Sequence, residues 1–100
     1  MNAISKVSDI TYADVSDYCR IDKIDQSDIN TLNNLIIIAK NYIAGYTGRT
    51  IEDLDDYPDI SIVVLILCQD MWDNRTMYVD SSNLNTTVDS ILHMHSVNLL

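Results

Sequence analysis

Few side chains in this sequence are equipped for chemistry. Cys19 and Cys68 are the two cysteines, and His93 and His95 the two histidines. Such a set could in principle hold zinc. Structural zinc sites, however, pair their ligands at close local spacings. Neither cysteine has a Cys or His neighbour in sequence, and two histidines two residues apart on a helix diverge by about 200°. The pattern reads as surface histidines on a terminal helix, with no metal ligand. Cys68 closes the apolar run Ile62 to Cys68, where a thiol is inert packing. Glu52, Asp53, Asp55 and Asp56 form the most acidic stretch. The oxygen-ligand ladder, central glycine and distal glutamate of an EF-hand are missing. A solvated acidic loop ahead of a helix, anchored to the core by Ile51 and Leu54, is expected instead. No phosphate-cradling loop, dinucleotide fingerprint or nucleophile elbow is present. The sequence supplies no argument for an enzyme: catalytic, cofactor-binding and metal residues are all expected to be none.

Arg49 and Arg75 stand out among only six basic residues. Each lies at or just past the end of a long helical pattern. An arginine there favours the negative end of the helix dipole and bonds free carbonyls. The alternative is a planar fork holding a carboxylate of a neighbouring element or subunit.

The element that organises the chain is the pattern from Gln26 to Tyr46 or Thr47. At about 100° per residue, Ile29, Leu32, Leu35, Ile36, Ala39, Tyr42, Ile43 and Tyr46 share one arc. Asn30, Asn33, Asn34, Lys40 and Asn41 lie opposite. Asp25 is the N-cap, Ile24 and Ile29 fit a hydrophobic staple, and Gly48 suits a left-handed C-terminal residue. Ile37 and Ile38 break the pattern and point among the asparagines. They need a second surface, supplied either by another helix of this chain or by another copy.

The same capping grammar opens an earlier short helix, Tyr12 to Arg20, with Thr11 as N-cap and Asp14 three residues on. Pro58 starts a third helix, to about Arg75. Ile60, Val64, Leu67, Cys68 and Met71 form its inner face, while Ile62 and Ile66 point elsewhere. A helix apolar on most sides is contacted on most sides. A last helix begins near Thr86 and carries Val88, Ile91 and Leu92 inward, a face that His95 can extend. Residues 1–9 read as a flexible tail and 76–86 as a loop or arm. The expected fold is all-α, one domain over residues 1–100. About four helices form a small bundle, with the long second and third making the core.

Composition agrees: 47% hydrophobic and 21% charged residues describe a globular chain. Two Gly and one Pro leave little material for tight turns. A net charge of −9 argues against gripping nucleic acid or an anionic membrane. With no disulfide framework or signal peptide, a reducing cytoplasm is the default.

The order of V-S-D-I-T-Y-A-D-V-S-D-Y-C-R-I-D, I-I-I-A-K-N-Y-I-A-G-Y-T-G-R and a proline-started apolar helix ending W-D-N-R resembles the small head–tail connector, or adaptor, proteins of tailed bacteriophages and prophages. The likeness runs from Val7 to Arg75 and is most specific over Ala39 to Arg49. It implies a helical protomer in a homo-oligomeric ring, commonly dodecameric, below the portal protein. Such a ring extends the DNA channel without binding DNA specifically and docks tail-completion or stopper proteins. It implies a place in the virion neck, reached from the host cytoplasm during assembly, with no cofactor and no membrane. Ile37, Ile38, Ile62, Ile66, Arg49 and Arg75 are the candidate oligomer-interface residues. The rival reading is a small acidic phage-encoded regulatory binder, an inhibitor or DNA mimic, which needs carboxylates ranked along one exposed face.

Overall fold

Reciprocal caps set the helix starts. A computed structural model describes residues 6–97, and its helices are α1 (Tyr12–Cys19), α2 (Gln26–Thr47), α3 (Ile51–Leu54), α4 (Pro58–Asn74) and α5 (Thr86–His95). At α2 the Asp28 N–H donates to Asp25 Oδ1 at 2.9 Å, and Asp28 Oδ2 accepts from the Asp25 N–H at 3.2 Å. At α1 the Thr11 N–H donates to Asp14 Oδ2 at 2.9 Å. Each arrangement satisfies donors that a helix start leaves free. Gly48 ends α2 in the left-handed conformation with φ 72°, its N–H on the Ala44 carbonyl.

The fold is the expected all-α bundle, and α2 and α4 make its core. From α2, Leu32, Leu35, Ile36, Ala39 and Ile43 are buried; Tyr42 and Tyr46 sit at the rim. From α4, Ile60, Val63, Val64, Leu67, Cys68 and Met71 are buried, together with Ser61 and Leu65. Those positions span roughly 200° of the α4 circumference. Such width fits a central helix, and α4 packs on α1, α2, α5 and the N-terminal turn. Helix α5 returns along α4. Its first turn, at Val88, faces Leu67 and Asp70, and its end, at His95, meets Asp59.

Three expectations need correction. The tail expected over 1–9 falls partly on residues 1–5, outside those described. The rest is not a tail: Val7–Asp9 form a 3₁₀ turn and Val7 is fully buried. The Ser8 N–H and hydroxyl donate to the two oxygens of Asp55, at 2.9 and 2.8 Å. Second, the acidic stretch is not a plain loop. Thr50 Oγ1 accepts from the Asp53 N–H at 3.1 Å and caps the single turn α3. Leu54 is fully buried below it, with Ile51 half-buried beside it. Third, α1 and α4 stop one residue early. Arg20 and Arg75 take left-handed conformations, φ 58° and 56°.

Candidate interaction surface

The two long helices treat their surplus isoleucines differently. Ile37 on α2 and Ile62 on α4 stand in solvent, 56% and 51% exposed. Ile38 and Ile66 do not: both pack against the protomer's own core. Ile66 lies in a cleft between α4 and the start of α5, with Leu84 and Val88. The second surface required by the sequence pattern is therefore intramolecular for Ile38 and Ile66, and open for Ile37 and Ile62.

The setting of Ile37 is unusual for this chain. Exposed residues along α2 include Asn30, Asn33, Asn34, Asn41 and Gly45; none of the exposed residues of this helix is acidic, and half-buried Lys40 borders this side. On α4 the exposed residues are Pro58 and Ile62 at the start, with half-exposed Asp59 between them, and Asp70, Asp73 and Asn74 toward the end.

Arg49 works inside the protomer. Its Nε donates to the His95 carbonyl at the end of α5, at 2.6 Å. Its guanidinium stands 5.1 Å over the Tyr57 ring, a cation–π distance. The arginine thus caps a carbonyl, as one reading of its position held, but on a helix remote in sequence. Arg75 is exposed and stacks 5.0 Å from the Trp72 ring.

The reading of both histidines as surface residues holds for His93 alone. The His95 side chain is 14% exposed. Its Nε2 sits 2.8 and 3.0 Å from the two Asp59 oxygens, and its ring lies 4.3 Å from that of Tyr57. The Val97 N–H donates to the Thr47 carbonyl at 2.8 Å. Tyr46 donates from α2 to Asp89 at 3.3 Å. Together these contacts clamp α5 to the joint between α2 and α4. No local spacing announces this clamp. The nearest signal is that Arg49, Tyr57 and His95 are each amphipathic residues beside a helix end.

Cys19 and Cys68 face one another's helices, far from the histidine. Nine residues of α4 separate Cys68 from Asp59, about 13 Å along the axis. Burial pushes the Cys68 thiol up to about 12, helped by Cys19 nearby. Burial, then Asp73, pushes Cys19 up to about 11. Such thiols stay protonated and unreactive at neutral pH. Among the described residues, no group of three or more His, Cys, Asp or Glu is placed to hold a metal ion. Nor is any helix among them long and apolar enough to cross a membrane.

Neither family models, nor curated proteins, nor solved structures give a match to this chain.

Proposed function

We propose that this chain is a structural head–tail connector of a tailed bacteriophage or prophage, assembling as a ring below the portal. The observation that carries the reading is a core closed within one protomer that still leaves an isoleucine in solvent on each of its two long helices. A ring needs two different surfaces on each subunit, a heterologous contact that closes. The sequence motifs from Val7 to Arg75 support the same assignment. The acidic composition suits a channel that DNA passes through without sticking. Tail-completion or stopper proteins would dock on the opposite side of the ring, in the virion neck.

The net charge of −9 favours a second reading, an acidic regulatory binder or DNA mimic. The placement of the acids weighs against it. Of the fifteen acids, Asp14, Asp25, Asp28, Asp55, Asp59 and Asp89 are engaged within the protomer and so serve its own fold. Mass by light scattering over a concentration series, with and without the cognate portal, separates the two. A closed ring, alone or on the portal, is expected. A chain that stays monomeric and ignores the portal moves the regulatory reading to first place.

A further inference from the structure

We propose that the carboxylate-free outer face of α2 is a docking surface for a second copy of this chain, and that it receives the α4 face around Ile62 of that copy. The inference rests on the ring reading above and names the faces that would make the ring.

Charge selects the occupant. The chain carries 15 acidic and 6 basic residues, so two copies approaching at random bring carboxylates together. Over α2, a length of about 33 Å, no exposed residue is acidic, and the charge that borders the outer face is that of half-buried Lys40. Interface cores are depleted of charge in this way. A cationic partner would be drawn to the acids elsewhere on the molecule. The face without carboxylates is instead the one at which a like-charged acidic body, another copy, meets no repulsion.

The residue types on that face point to contact rather than to solubility. Asn30, Asn33, Asn34 and Asn41 are weak helix formers, whereas Glu or Lys would serve an exposed helix better. An asparagine amide both donates and accepts, so it can pair across a contact without charge. Gly45 is exposed on the same side of α2, and a Cβ there would meet nothing within 4 Å. The protomer gives no reason for a glycine that costs about 1 kcal/mol relative to alanine in a helix. A neighbouring chain approaching closely would. Opposite stands the start of α4 around exposed Pro58 and Ile62, where the one carboxylate, Asp59, is bonded to His95. The two bands differ, so the contact is heterologous.

The test is a charge swap read by native mass and sedimentation up to millimolar protein. Ile37→Lys and Ile62→Glu should each weaken self-association about tenfold or more, with helical content unchanged. The double variant, or a mixture of the two single variants, should recover assembly, because each new lysine then faces a new glutamate. Loss with Ile37→Lys but none with Ile62→Glu, and no recovery, would mean a symmetric α2–α2 contact and overturn the proposal. Assembly indifferent to both would overturn it while leaving the ring reading intact. A wild-type chain that never self-associates, alone or with the portal, would remove both.

Discussion

Arg20 and Arg75 occupy backbone positions where glycine is usual. The left-handed conformation costs an L-residue roughly 1–2 kcal/mol. Arg75 offsets part of this by stacking on Trp72; Arg20 is exposed. Arg20→Gly should therefore raise stability by about 1 kcal/mol in urea denaturation, and a loss of stability would show that the guanidinium does more than the backbone suffers. Ser61 presents the converse case. It is 1% exposed, and its Oγ has no hydrogen-bond partner. A buried unpaired hydroxyl costs about 1–3 kcal/mol, so Ser61→Ala should leave stability unchanged or raised by about 1 kcal/mol; a clear drop would reveal a hidden bond. Neither residue was legible in advance. A left-handed arginine has no composition signal, and a serine in an apolar helix looks the same whether satisfied or orphaned. The caps were legible because Asp25 and Asp28, or Thr11 and Asp14, satisfy each other within one turn and need no tertiary context.

At the scale of elements, what sequence reading reached and what it missed divides by distance along the chain. The stripes of α2 and α4 follow from periodicity, and so does the outward aim of Ile37 and Ile62. Whether Ile66 faces solvent depends on where α5 and Leu84 lie, which periodicity does not contain, and the burial of Ile38 against the core is likewise a tertiary fact. The N-terminal turn was missed for the same reason. Its anchor, Asp55, is 47 residues from Ser8. The Ser8 N–H, then the Ser8 hydroxyl, hold the Asp55 carboxyl below its ordinary value, with Lys6 and Lys40 adding to the effect. Because the folded state favours the ionised form, this contribution is complete above the unfolded carboxylate value near 4 and is lost as pH falls through the lower folded value. Stability of wild type and Asp55→Asn should differ by a constant amount at neutral pH and converge below about pH 4. A difference independent of pH would show that the Ser8 contacts do not depend on the charge.

For the molecule as a whole, fold class was the easiest feature to read, since two glycines and one proline in 100 residues leave helices as the economical solution. The interaction surface was half legible. Its apolar centre, Ile37, breaks a pattern; its lack of exposed carboxylates appears only when exposure is known for every residue of α2. Gly45 ties protomer and assembly together. Gly45→Ala should stabilise the isolated protomer by up to about 1 kcal/mol through helix propensity and weaken self-association, measured as thermal unfolding at dilution against mass at high concentration. Improvement in both would mean that no chain approaches there. The two ends of the described chain also meet a common anchor. Ser8 is tied to Asp55, while His95 and Val97 are tied to Asp59 and Thr47, so both ends of the described chain are held by the stretch from Thr47 to Asp59. The linear order of the helices is then dispensable in principle. A circular permutant that links residues 97 and 6 and opens at exposed Met77 should keep the fold, read as unchanged helical content and cooperative thermal unfolding.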